Sequence, residues 1–254
     1  MNSCCPTVTA RTGRDRGPQA PPGCLGIVGG LGPMATARLY LDICQRVHAA
    51  SGVTPAIMID SVRMPRAIEE SFITAIPSPE SERLLCAGIR AAVGRLVAAG
   101  ASVICAACNT VQPLFMAEAV RSGVAAIGMA EAALGAVHRG GYRSALVLAS
   151  SSTRRMDVYG AAARALGISL AYPEPVDQAT IFRAILSSTH HRATGEVTPT
   201  LACVCRRYEG VVDCVLLGCT DLSQIGDQAL GRLPVIDSLA ELGIAAAGFL
   251  LNCA

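Results

Sequence analysis

No tryptophan occurs among the 254 residues, aromatic residues make up 4%, and charged residues 16%. A core without large rings must be aliphatic and finely packed, and much of the 52% hydrophobic content is alanine. The mean hydropathy of +0.45 excludes disorder for most of the chain. The few charges nearly cancel, leaving +2 at neutral pH. There is no basic stripe with interleaved aromatics, so nucleic acid is not an expected partner. Nor is a membrane, because apolar stretches such as 242–251 fall short of the about 20 residues that cross a bilayer. Residues 1–23 carry Arg11, Arg14, Arg16 and a Pro/Gly cluster without an apolar h-region. They read as a flexible tail, and the expected location is the cytoplasm. The four histidines form no triad or ligand spacing, and His190-His191 reads as a surface pair at a helix end.

Cysteine is plentiful, at twelve residues. In a chain of this size and composition with no secretory signal, reduced thiols are expected rather than a disulfide framework. Cys24, Cys44, Cys86 and Cys214 lie in or beside apolar segments and read as small core residues. Cys4 and Cys5 fall in the tail and receive no role. Two others stand apart because their surroundings repeat. Ala101-Ser-Val-Ile-Cys-Ala-Ala-Cys108-Asn109-Thr110 and Val212-Asp-Cys-Val-Leu-Leu-Gly-Cys219-Thr220-Asp221 are both apolar runs ending in small residues, a cysteine and a polar side chain. Such a run reads as a buried parallel strand feeding a helix. Each cysteine then sits at the carboxyl end of a strand, where open α/β sheets bind ligands.

Strand-like and helix-like segments alternate along the chain, which predicts parallel sheets covered by helices. Expected strands are 24–28, 55–61, 101–108, 124–129, 144–149, 168–172, 212–219 and 233–237. Expected helices include 34–48, 79–99 capped by Ser78, 112–121, 130–138, 150–166, a helix capped by Asp177 and running to Leu186, one after Thr194, and 239–251. The stretch with Arg63, Pro65, Arg66 and Pro77 has the length of a loop that closes over a site. The fold class is therefore α/β, with two pseudo-symmetric three-layer domains, mainly parallel sheets and an active site at their interface. The expected division is 24–123 plus 232–254 against 124–231.

Inversion at a carbon centre needs a proton removed from one face and another delivered to the opposite face. Two thiols across a cleft can do both. Each cysteine precedes a predicted helix N-terminus, which should lower its pKa from about 8.5, and Asn109, Thr110 and Thr220 could hold a carboxylate nearby. Two buried structural cysteines are the plainer alternative, weakened by their matched placement. Cys105-Ala-Ala-Cys108 also fits a redox or zinc pair, but residues three apart on a strand face opposite ways. Gly30-Leu-Gly32-Pro-Met-Ala35 with Asp60 fits a loose dinucleotide fingerprint, so an NAD(P)-binding oxidoreductase is the runner-up. Against it, Pro33 removes an N–H from the turn. Among loop arginines, Arg63 and Arg66 are the first candidates to grip a carboxylate, ahead of Arg154, Arg155 and Arg192.

Gly26-Ile-Val-Gly-Gly-Leu-Gly-Pro-Met-Ala-Thr36, Cys108-Asn-Thr and Gly218-Cys-Thr together resemble the aspartate/glutamate racemase superfamily, nearest its aspartate racemase branch, over about residues 24–252. The resemblance implies no cofactor, no metal, an amino-acid substrate and a homodimer. It implies Cys108 and Cys219 as the acid/base pair, with Asn109, Thr110, Val111 and Thr220 around the substrate and Leu31 bordering the pocket. Related members isomerise or decarboxylate similar diacids. The branch commonly continues Cys-Asn-Thr with Ala-His, where this chain has Val111-Gln112. It commonly follows Gly-Cys-Thr with Glu, where this chain has Asp221; glutamate racemases have His there. Ala67 falls near the family arginine that meets the side-chain carboxylate, with Arg63 and Arg66 beside it, and Arg192 corresponds to a late basic residue.

Overall fold

The computed structural model describes residues 23–74, 77–189, 197–225 and 230–253. Residues 1–22 of the tail expected at 1–23, the His190-His191 pair and Arg192 lie outside them. The first half runs β1 (Leu25–Gly29), α1 (Pro33–Ser51), β2 (Ile57–Ser61), α2 (Arg66–Thr74), α3 (Pro79–Ala98), β3 (Val103–Ala106), α4 (Gln112–Ser122) and β4 (Ala125–Ile127). Its strands form one parallel sheet in the order β2-β1-β3-β4. After α5 (Met129–Arg139) the same plan repeats with β5 (Ser144–Leu148), α6 (Ser151–Arg155), α7 (Gly160–Leu166), β6 (Ser169–Ala171), α8 (Pro175–Thr189), α9 (Val197–Arg206), β7 (Cys214–Leu217), a 3-10 turn (Leu222–Ile225) and β8 (Val235–Asp237). The second parallel sheet has the order β6-β5-β7-β8, and α10 (Ser238–Asn252) ends the chain.

Helices cover both faces of each sheet, which is why β1, β3 and β7 are buried throughout and read as unbroken apolar runs. On one face of the first sheet Leu25, Ile27 and Val103 pack with Leu39 and Ile43 of α1 and Leu242 of α10. On the other, Val28 and Ile104 meet Leu85 and Ile89 of α3 and Phe115 of α4. The second sheet is enclosed likewise, with Leu146 and Val215 against Ile181 and Leu201, and Val147 and Leu216 against Leu134 and Tyr159. No described helix is long and apolar enough to cross a membrane.

Four features differ from the sequence reading. The stretch after β2 is not all loop, because α2 folds within it. The helix expected over 150–166 is two, broken where Asp157 takes a positive φ of 48°. Asp177 is not a cap but lies inside α8, buried and paired with Arg207. The expected division is crossed by the sheets: β4 pairs in the first and β8 in the second. Only α10 returns, packing on α1 as well as α5.

Candidate active site

In both sheets the strand order reverses beside the first strand of the half, between β1 and β3 and between β5 and β7. A crevice opens at the carboxyl ends of strands at such a point, because the connecting helices leave to opposite faces. All four of these strand ends line one cavity of about 50 Å³. Leu31 and Gly32 come from β1, Cys108 to Val111 from β3, Ser150 from β5, and Cys219 to Asp221 from β7. Register explains the match: Val28 pairs with Ala106 and Leu148 with Leu217, and each cysteine stands two residues beyond those partners of β1 and β5.

Leu31, Cys108, Asn109, Thr110, Val111, Cys219 and Thr220, all singled out from sequence, thus line the same cavity. Arg63 is exposed and is not among the lining residues. Arg66 is the first residue of α2. Met64, Glu69, Phe72 and Leu85 complete the lining. Glu69 and Phe72 carry no local sequence signal, because α2 is short and follows proline-bearing, non-periodic chain. Ser150, expected as the first residue of a helix, is instead its cap: its hydroxyl accepts the Thr153 N–H at 3.2 Å.

The polar groups are tied across the two halves. Thr110 Oγ1 lies 3.1 Å from Ser150 Oγ and 3.0 Å from Thr153 Oγ1. Asn109 donates from Nδ2 to Ser238 Oγ at 3.0 Å and accepts at Oδ1 from the Tyr159 hydroxyl. Gln112, buried at the start of α4, donates to the carbonyls of Ala106 and Cys108 at 3.0 and 3.1 Å and accepts the Met129 N–H at 3.1 Å. It thereby fixes the backbone that carries Cys108.

Both thiols are shifted opposite to the sequence expectation. Burial pushes Cys108 up to about 12, the Asp221 and Glu69 carboxylates add to it, and the Val111 and Thr110 N–H groups offset only part. Cys219 is also raised well above an ordinary thiol, first by burial and then by Asp221. Cys108 adds to the rise at Cys219, which therefore lies within its field. Cys219 Sγ donates to Asp221 Oδ2 at 3.9 Å.

The dinucleotide features are engaged otherwise. The Gly32 N–H, which a pyrophosphate would use, donates to Glu69 Oε1 at 3.1 Å. Asp60, the would-be ribose acid, takes two bonds from Arg95 at 2.6 and 2.8 Å. Cys105 is fully buried in the β3 core, away from the redox or zinc role its spacing suggested.

The sequence model of the Asp/Glu/Hydantoin racemases matches residues 28–245. The chain belongs to this family. It is an enzyme, an amino-acid racemase of the pyridoxal-phosphate-independent kind. Its fold is similar to a candidate Asp/Glu racemase from Yersinia pestis, at 21% identity and a TM-score of 0.75 over 90% of this chain and 99% of that one. It is also similar to an aspartate racemase homologue from Pyrococcus horikoshii OT3, at 20% identity and 0.73 over 90% and 99%. The aspartate racemase of Picrophilus torridus matches at 22% identity and 0.69 over 89% and 94%. At these identities the racemase structures speak for the fold.

Proposed function

We propose that this racemase inverts the α-carbon of aspartate or a related acidic amino acid, with Cys108 and Cys219 as its two acid/base groups. The observation that carries the reading is the convergence of both cysteines, from matching strand ends of the two halves, on one cavity. One sulfur, as thiolate, takes the α-proton, and the electron pair left on carbon delocalises into the substrate carboxylate. The other sulfur, as thiol, delivers its proton to the opposite face. The two cysteines then hold each other's starting protonation state, ready for the reverse reaction.

Both thiols rest protonated, so one must be deprotonated when substrate binds. The substrate ammonium brings positive charge against them, and Asp221 Oδ2, beside Cys219 Sγ, is the proposed acceptor of the departing proton. Asn109, Thr110 and Thr220 are the proposed carboxylate donors, with Leu31 and Val111 closing the apolar wall. Arg63 and Arg66 are the first proposed partners of the side-chain carboxylate, ahead of Arg192, because a guanidinium can grip a carboxylate through two parallel hydrogen bonds. The 254 residues include no lysine, so the chain cannot form the lysine imine on which pyridoxal phosphate enzymes depend. A homodimer is part of the proposal and is checked by light scattering.

The test is to incubate single enantiomers of acidic amino acids in D₂O and follow α-deuteration and optical rotation. Deuteration with loss of rotation is the expected result; no exchange with any amino acid would sink the reading. Cys108→Ser and Cys219→Ser should each abolish inversion while permitting one-sided exchange. A decarboxylase of related diacids would instead release CO₂, a reaction that requires one proton donor and leaves the second cysteine without work.

A further inference from the structure

A fully buried aromatic side chain stands between the two cysteine loops. Tyr159, just before α7, has no exposed surface. Its ring lies beneath Gly218: a Cβ placed there would meet Tyr159 Cε2 at 3.2 Å, Val147 Cγ1 at 3.0 Å and Ala149 Cβ at 3.1 Å. Its hydroxyl donates to Asn109 Oδ1, and Asn109 Nδ2 donates onward to Ser238 Oγ at 3.0 Å. Gly218 directly precedes Cys219, and Asn109 directly follows Cys108. One rigid ring therefore bears on the backbone beside one thiol and on the side chain beside the other.

We propose that Tyr159 is a positioning residue that sets the spacing of the two cysteine loops and locks the Asn109 amide toward the cavity. The locking gains its meaning from the racemase reading; the spacing does not depend on it. Thiols carried by two different sheets have no shared element to fix their separation, and inversion tolerates little error, since a 1 Å misplacement costs about 100-fold in rate. The Asn109 amide has two N–H donors, of which Ser238 occupies one, so an amide held at Oδ1 by Tyr159 keeps the second for a carboxylate.

Tyr159→Phe removes only the hydroxyl. It should raise KM about tenfold, the loss of one well-aligned hydrogen bond, with little change in kcat. In an Asn109→Ala background the same change should add little to KM, because the amide that carries the hydroxyl's effect to the substrate is gone, and the hydroxyl's other partner, Ser238, is not among the cavity-lining residues. Tyr159→Leu also removes the ring and should lower kcat about 100-fold beyond the Phe variant. Wild-type KM in Tyr159→Phe, an equal loss in both backgrounds, or a Leu variant no worse than Phe would overturn the proposal. Should Tyr159→Leu not fold, the cycle between Tyr159→Phe and Asn109→Ala decides. A wild-type protein that turns over no amino acid would reject the racemase reading alone. Tyr159 would then be judged by the same cycle in urea denaturation, where coupling supports it and additivity overturns it.

Discussion

At Cys108 two local effects oppose each other, and their magnitudes decide the outcome. A helix N-terminus contributes a partial charge of about half a unit, while burial removes the solvation of a full thiolate charge. Burial wins, and Cys108 rises to about 12. Alkylation of Cys108 by iodoacetamide, mapped by mass spectrometry, should therefore climb steadily past pH 10; a plateau near pH 9 would contradict the assigned shift. Gln112 is informative for another reason. Its one side chain bonds two carbonyls and an N–H of the backbone around Cys108 and Met129. Gln112→Leu should lower unfolding free energy by about 2–5 kcal/mol in urea denaturation, from buried backbone groups left unpaired. Gln112→His should behave nearly as wild type at pH 8. It should lose stability below about pH 6.5, where imidazolium no longer accepts the Met129 N–H.

Among the elements, the turn after β1 and the α1–α10 contact constrain their glycines to different degrees. Gly30 has φ 87°, and a Cβ there would lie 2.5 Å from the Val62 carbonyl oxygen and 2.7 Å from its nitrogen. Backbone cannot move aside as a side chain can. Gly30→Ala should cost at least about 1–3 kcal/mol from conformation alone and should displace the turn that carries Leu31. Gly243 on α10 is less demanding. Its nearest obstacle is the flexible end of Asp42, which already pairs with Arg46. Gly243→Ala should be tolerated, whereas Gly243→Val should cost about 1–3 kcal/mol by thermal or urea denaturation.

Across the whole molecule, buried thiols link stability to alkaline pH. Burial raises Cys105 to about 12, and it is enclosed by the first core. A folded pKa above the unfolded value means that the folded state holds its proton longer. The stabilisation is complete below about pH 9 and is lost as pH rises toward 12. Each such thiol steepens the decline by about 1.4 kcal/mol per pH unit. Urea midpoints measured from pH 8 to 11 should fall, and Cys105→Ala should fall less steeply; parallel curves would refute the linkage.

The alternation of apolar runs with amphipathic segments, and the twice-repeated strand ending in cysteine, are properties of neighbouring residues, so both were readable along the chain. They determined the α/β class, most elements, and the candidates Cys108, Asn109, Thr110, Cys219 and Thr220. Gly30 and Pro33 marked their turn for the same local reason. Tertiary structure decided what depends on distant partners. The pairing of β8 with β7 needs a sheet edge that no local pattern reveals. Glu69 reaches the site because α2 folds over the Gly32 N–H, and Tyr159 because a one-residue reversal at Asp157 breaks a helix. Asp60 is claimed by Arg95 from another element. The thiol shifts belong here as well, because solvation is lost to everything that packs around a group, and sequence shows only what lies beside it.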